Sequence, residues 1–254
     1  MRGVTFGGTE RPAHRWCHAA TELDAFAMVT YRVDADRLAE VLPAEVVPDR
    51  FTFDDGTEGA LVSAVPFLDR DFHFRFFPLV KVGCGQVNYR AYVTFRGERG
   101  VWFFGTSLDS VFVALPRFVW QMPWHRDRIR IDHSWSGDRC LSWSFAASGW
   151  GAGQCRIETS GEPLARLDGF TDLDETLEVL THPMVGWYQR QRGGLGRYSV
   201  WHPVLALEAG TAPEARFAVF ERLGLVEPAQ APHSAVVARS VHFDVHTPPT
   251  RVRP

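Results

Sequence analysis

Short apolar or alternating runs, each closed by a turn signal, follow one another along most of this chain and seldom give way to helical periodicity. Such a pattern leaves few choices. Strands at close spacing joined by turns build an antiparallel barrel or sandwich, whereas a doubly wound sheet needs a helix after nearly every strand. The first strand-like run is Phe26-Ala27-Met28-Val29-Thr30-Tyr31-Arg32-Val33. Further runs cover 60–67, 86–95 and 101–105, and Arg96-Gly97-Glu98-Arg99-Gly100 between the last two is a hairpin signal. Residues 126–135, 140–147 and 154–159 continue the series, with Ser136-Gly137-Asp138 as a turn, and 198–207 and 236–245 close it. Helices are expected in a few places only. Asp34 is placed to cap a short helix over 35–42 that Pro43 stops. Residues 172–180 and 215–223 read as two more. Residues 110–121 read as the one well-buried helix, kinked or divided by Pro116. The expected fold class is therefore β-rich (α+β): a single antiparallel β-barrel or double-sheet domain with a few inserted helices.

A chain of 254 residues with 45% hydrophobic residues can bury one large core. Residues 1–20 are non-periodic and read as an N-terminal arm, residues 21–247 as the barrel domain and residues 248–254 as an extended tail. The formal net charge is −3, which gives no bulk attraction to nucleic acid or to an anionic membrane. No run approaches the ~20 apolar residues of a membrane span. The start lacks the apolar segment of a signal peptide. Cys17, Cys84, Cys140 and Cys155 show no tight metal spacing, so a cytoplasmic protein with reduced thiols is expected. The 19 Phe, 9 Trp and 5 Tyr suit an apolar pocket as well as a core. Lys81 is the only lysine among 27 Lys and Arg, so only Lys81 could supply an imine-forming amine.

Several segments carry a resemblance. They are Val33-Asp34-Ala35-Asp36-Arg37-Leu38 running to Leu42-Pro43, Gln86-Val87-Asn88-Tyr89-Arg90-Ala91-Tyr92-Val93, Gly100-Val101-Trp102-Phe103-Phe104 with Ser107-Leu108-Asp109, and Met122-Pro123-Trp124. Weaker echoes are Trp201-His202-Pro203 and the last strand before Pro248. In order and spacing these segments, spread over roughly residues 20 to 250, resemble the YqjF-like bacterial family of the acetoacetate decarboxylase-like superfamily. The resemblance implies a decarboxylase-type β-barrel and no settled biochemistry. In the decarboxylases a Pro-Lys-Lys segment supplies the imine lysine and a neighbouring cation that depresses its pKa. Here the matching stretch reads Pro123-Trp124-His125, which excludes imine chemistry at that position. Where the family pattern often carries Glu before the Asn-x-Arg element, this chain has Gln86.

Period two places Gln86, Asn88, Arg90, Tyr92 and Thr94 on one strand face. That face is either solvated over an apolar core or lines a polar barrel interior. In the second case Asn88 and Arg90 could clamp a carboxylate or enolate oxygen. His125, chosen from the ten histidines because of where the resemblance places it, is either a packed strand-start residue or a proton carrier. Lys81 lies between apolar neighbours that could lower its pKa if the loop folds over the barrel mouth, and is otherwise an exposed loop lysine. His242-x-Asp244-x-His246 reads as a solvated face of a terminal strand, because side chains about 7 Å apart along one strand converge poorly on one ion. No metal site and no cofactor are expected.

The expected function is a cofactor-free enzyme acting on a small carbonyl- or carboxylate-bearing substrate by acid–base chemistry, as a lyase, isomerase or cyclase, with secondary metabolism a compatible setting. Arg90 and His125 are its expected catalytic residues. Asn88, Tyr92, Trp102, Phe104, Trp124, Trp201 and His202 are expected to bind substrate. One alternative is a Schiff-base decarboxylase or aldolase-like lyase using Lys81. Another is a non-catalytic ligand-binding or interaction module. The expected partner is a small molecule, with no nucleic acid and no membrane, and a homo-oligomer is compatible with the sequence.

Overall fold

The computed structural model describes residues 11–13 and 15–253, so most of the expected arm lies outside the described residues. The strands are β1 (Ala19–Val33), β2 (Val46–Pro48), β3 (Phe51–Thr52), β4 (Glu58–Phe74), β5 (Val82–Phe95), β6 (Glu98–Leu108), β7 (Trp124–Arg126) and β8 (Arg128–Ser136). They continue with β9 (Arg139–Ser148), β10 (Gly153–Pro163), β11 (Val185–Gln189), β12 (Leu195–Trp201), β13 (Glu208–Thr211), β14 (Arg216–Phe217) and β15 (Ser234–Arg251). The helices are α1 (Ala35–Val41), α2 (Leu173–Thr181) and α3 (Ala218–Arg222).

A closed barrel forms from β1-β4-β5-β6-β11-β12-β15, because β15 also pairs with β1, from Ala19 opposite Val245 to Thr30 opposite Ser234. Beyond β15 the sheet continues through β13, β10, β9 and β8 and folds back over the barrel. The β-rich barrel matches the expected fold class, with one correction. Two pairings, β6 with β11 and β6 with β7, are parallel, so the barrel is mixed. The segment 248–251, expected to be a separate tail, is the end of β15 and pairs with β12, with Gly196 opposite Arg251. The expected strand over 198–207 stops at Trp201, just before the Pro203 ring that cannot donate to a ladder.

Two apolar layers result. Inside the barrel, Phe26, Met28, Leu61, Val65, Phe103 and Tyr188 pack together. Outside it, Val29, Tyr31, Tyr89 and Ala91 meet Trp143, Phe145 and Ile157 of the covering sheet, Phe217 of β14 and Phe220 of α3. The buried hydroxyls of this outer layer are satisfied by backbone: Tyr31 donates to Ala215 O (2.9 Å) and Tyr89 to Gly151 O (2.7 Å). Asp34 caps α1 as its position suggested, accepting from the amides of Asp36 (2.8 Å) and Arg37 (2.9 Å).

The segment 110–121 is not a well-buried helix. It is a 3-10 turn (Val111–Val113) followed by a single π turn (Leu115–Val119) that begins around Pro116. Proline removes the donor a continuous helix would need, and Val111, Phe112, Phe118 and Val119 stay exposed.

Trp143 ties the covering sheet to the barrel. It is fully buried, and its indole N–H donates to Ala25 O (2.8 Å), where β1 bulges with Ala25 at φ 47°. Trp143→Ala should cost about 3–5 kcal/mol, since it opens a large void and leaves that carbonyl unpaired. Thermal denaturation followed by circular dichroism should show a melting point lower by roughly 10 °C. A drop below ~2 °C would show that the covering sheet is not anchored there.

Candidate functional site

The barrel encloses a cavity of about 280 Å³. Its wall on β5 is Val82, Cys84, Gln86, Asn88 and Arg90, one strand face taken in order. The polar alternation of β5 therefore faces the barrel interior, and Val87, Tyr89, Ala91 and Val93 face the outer core. Depth follows from β4–β5 pairing. Phe72 opposes Val82 at the mouth, then Asp69 opposes Cys84, Phe67 Gln86, Val65 Asn88 and Ser63 Arg90.

At the inner end, one terminal nitrogen of Arg90 donates to Leu180 O (2.7 Å), a carbonyl in the last turn of α2 that also accepts from the Tyr92 hydroxyl (3.2 Å). The same nitrogen lies 3.3 Å from Met28 Sδ and 3.4 Å from the Tyr92 hydroxyl. Arg90 Nε is buried without a hydrogen-bond partner, and no carboxylate pairs with this guanidinium among the described residues. Arg90 is half-buried, and a cation on an apolar wall without an anion leaves the site electrostatically incomplete as it stands. Asn88 Oδ1 accepts from Gln86 Nε2 (3.0 Å) and from the Thr106 hydroxyl (2.8 Å). Both bonds end on the Asn88 oxygen, which leaves the two amide N–H donors to the cavity. His202 also lines this end. Burial pushes its pKa down to about 4, and nearby His182 and Arg90 act in the same sense, so it is a neutral imidazole near pH 7. Its Nδ1 lies 2.9 Å from Pro203 O. Burial likewise raises the Tyr198 phenol, which Arg90 partly opposes.

Nearer the mouth stands a carboxyl that the strand pattern did not single out. Asp69 faces the cavity, accepts a hydrogen bond from the Thr21 hydroxyl and has no cationic partner among the described residues. Burial raises its pKa to about 6, and the Thr21 bond only partly offsets this. Asp69 is half-buried by surface area, but the space it meets is the apolar cavity, where a carboxylate is poorly hydrated. Its opposite residue, Cys84, lies six positions along β5 from Arg90, so the two charged stations are at most about 20 Å apart.

The expected site residues divide into two groups. Arg90, Asn88, Trp124 and His202 line the same cavity. Trp124, which the sequence resemblance sets against the imine lysine, sits level with Asn88, because Thr106 pairs with both. Tyr92 lies behind Arg90, buried, with its hydroxyl 2.8 Å from Ser63 Oγ. His125 does not line the cavity. Its ring stacks flat on Trp150 (centroids 3.9 Å, 6°), and burial pushes its pKa down to about 4, so it is not the proton carrier beside Arg90. Trp102 and Phe104 also face away, into the outer core. The cause is a bulge: Tyr89 opposes Gly105 but Arg90 opposes Phe103. One extra residue on β6 turns Val101 and Phe103 inward and swaps the faces. Trp201 lies between the inward Val200 and His202 and stacks with the Arg11 guanidinium at 5.1 Å outside the cavity. Lys81 is exposed and ion-paired with Asp71 (2.9 Å), and it does not line the cavity. An ammonium held on a carboxylate in water is not the neutral amine that imine formation requires. Asp244, expected on a solvated face, is fully buried and accepts from Arg11 (2.7 Å) and Arg75 (2.8 Å).

The profile of the DUF2071 family, described as an uncharacterized conserved protein, matches residues 20–242, in keeping with the YqjF-like resemblance. No curated protein matches the chain. Among solved structures, the chain is similar to an acetoacetate decarboxylase from Legionella pneumophila, with 14% identity and a TM-score of 0.60 over 100% of this chain and 96% of that one. It is also similar to an acetoacetate decarboxylase-like enzyme from Sphingomonas wittichii, with 12% identity and a TM-score of 0.60 over 96% and 97%. The enduracididine biosynthesis enzyme MppR, solved with the condensation product of pyruvate and imidazole 4-carboxaldehyde, matches with 14% identity and a TM-score of 0.58 over 96% and 90%. At these identities the likeness establishes the shared fold.

Asp69 offers a test of the cavity's electrostatics. Its pKa is raised from 3.8 to about 6, so below pH 3.8 both the folded and the unfolded state hold the proton. As pH rises from there to about 6, the unfolded chain ionises first and stability falls. Above about 6 the buried charge imposes its full cost. Asp69→Asn removes the charge and keeps an acceptor for Thr21. The variant should therefore be more stable than the parent by on the order of 2 kcal/mol at pH 8 and equal to it near pH 3.5, read by urea unfolding at both pH values. Equal stability at pH 8 would show that Asp69 is well hydrated.

Proposed function

Because the chain belongs to the DUF2071 family and carries the acetoacetate decarboxylase-like fold, we propose that it is an acid–base enzyme for a small organic carboxylate, acting as a lyase, isomerase or cyclase. The observation that carries this reading is the pair of charged groups, Arg90 and Asp69, that face one apolar cavity without pairing with each other or with any other charge among the described residues. Ionisable groups left without a charged partner on the wall of an apolar cavity mark a candidate substrate site.

In the proposed chemistry the substrate carboxylate takes the free edge of Arg90 and the Asn88 amide donates to it or to an adjacent carbonyl. Neutral His202 adds no second cation beside Arg90, so the field at that end favours a single anion. Asp69, with a pKa of about 6, has both protonation states within reach near neutrality. As carboxylate it removes a proton from a substrate carbon that lies toward the mouth, remote from the anchored carboxylate, and as acid it returns that proton to another atom there or to a leaving group. Trp124 fills the place where a covalent decarboxylase would hold its amine, so the substrate is held non-covalently.

Exchange of carbon-bound hydrogen in D2O, followed by NMR over a panel of oxo acids whose carbonyl stands at increasing distance from the carboxylate, tests this reading. Arg90→Ala should raise the half-saturating concentration about 10- to 100-fold, as expected for a lost charged hydrogen bond. Asp69→Asn should slow exchange at least ~100-fold with binding retained. The rate should fall as pH drops through about 6, because the base must be ionised to accept a proton. Acids that bind in an Arg90-dependent way with no exchange or turnover would make the barrel a binding module instead.

A further inference from the structure

The cavity is polar at its inner end and aromatic at its mouth. Two segments form that mouth: the β4–β5 connection and the turns over 111–119. A run of ring contacts leads from the surface into the wall. Trp16 meets Phe76 (5.7 Å), Phe76 stacks on Phe74 (5.3 Å, 23°), and Phe74 meets Trp120 (6.5 Å). Phe72 flanks Phe74 at 5.6 Å. The inner members line the cavity, whereas Phe76 and Phe112, which also line it, are 56% and 53% exposed. Exposed rings on this scale mark a binding surface more often than an ordinary surface, and here the apolar surface is continuous with the cavity interior.

Resting on the reading of Arg90 as the carboxylate anchor, we infer that the substrate is an amphipathic acid that enters carboxylate first and leaves an alkyl or aryl tail in the aromatic mouth. The gradient sets the orientation. A carboxylate at the mouth would stand beside acidic Asp69, with the His73 and His246 imidazoles but no guanidinium or ammonium in the lining there, while a tail at the inner end would strip Arg90 of its hydration without replacing it. Size follows from the volume. The cavity is about 280 Å³, roughly twice the ~150 Å³ that takes up one benzene ring, so the body of the ligand holds about ten to twelve carbons. A two-carbon or four-carbon acid would reach Arg90 but leave most of the apolar wall uncovered.

Titration calorimetry, with the fluorescence of Trp120 and Trp124 as a second signal, over straight-chain carboxylates of 2 to 16 carbons, tests the inference. Affinity should rise about fourfold per added methylene and level off near ten to twelve carbons. The surface double variant Phe76→Ser/Phe112→Ser should weaken dodecanoate at least ~10-fold and leave hexanoate within about twofold. Arg90→Ala should weaken every member of the series. Affinity independent of length from 4 to 12 carbons, with Arg90 dependence retained, would overturn the tail assignment and leave the carboxylate anchor standing. Dodecanol binding as tightly as dodecanoate would overturn the orientation. Failure of every carboxylate to bind would overturn the Arg90 reading itself.

Discussion

The pairing of β1 with β15 closes the barrel, and the rest of the molecule follows from that closure. In an open sheet the even face of β5 would look into water and its polar side chains would need no explanation. Once the sheet is closed, that face can exchange with water only through the mouth. Each polar group on it must then find a partner inside or meet a ligand. Gln86 and Thr106 solve this on the Asn88 oxygen, which leaves the Asn88 amide N–H groups to the cavity, and the Ser63 and Tyr92 hydroxyls pair below them. Arg90 and Asp69 solve it only in part, the first by capping a helix end and the second by holding the Thr21 hydroxyl. The site is thus what remains when the interior hydrogen bonds have been counted.

Much of the architecture was legible as pattern. Period two on β5, the Asp34 cap and the hairpin between β5 and β6 are local signals, and local geometry obeys them. The polar face of β5 could be read, but whether it pointed inward depended on closure, which joins residues more than two hundred positions apart. Trp102 and Phe104 were misplaced by a single bulge, since alternation carries no mark of where one residue has been inserted. Val185-Gly186-Trp187-Tyr188-Gln189, too short and too glycine-interrupted to announce a strand, is the β11 that completes the ring.

The charged residues were the least legible. Asp69 follows a run that reads as ending at Phe67 and sits among Asp71, Arg70 and His73, the company of an exposed turn. Its burial comes from β5 across the connection that follows β4 and from β1, whose Leu23 lies 46 positions back along the chain. Asp244 is similar: its acidic, histidine-flanked strand looks solvated until Arg11 and Arg75 arrive from other parts of the chain. His125 shows the converse. The motif places it beside a pocket residue, but adjacent residues on a strand point to opposite sides. The cavity therefore took Trp124 and the outer layer took His125.

The long-range seam between β1 and β15 also governs how the protein comes to exist. A ring whose first strand must wait for its last, Ala19 for Val245, has high contact order and pays its loop entropy before the closing contacts form. Until β15 docks, β1, β12 and β13 each lack a neighbour, and the residues that will enclose the cavity stand on open edges. The binding chamber is therefore complete only when β15 is seated on β1 and β12. A chain that stops short of β15 carries every side chain of the inner station yet has no interior in which to hold them.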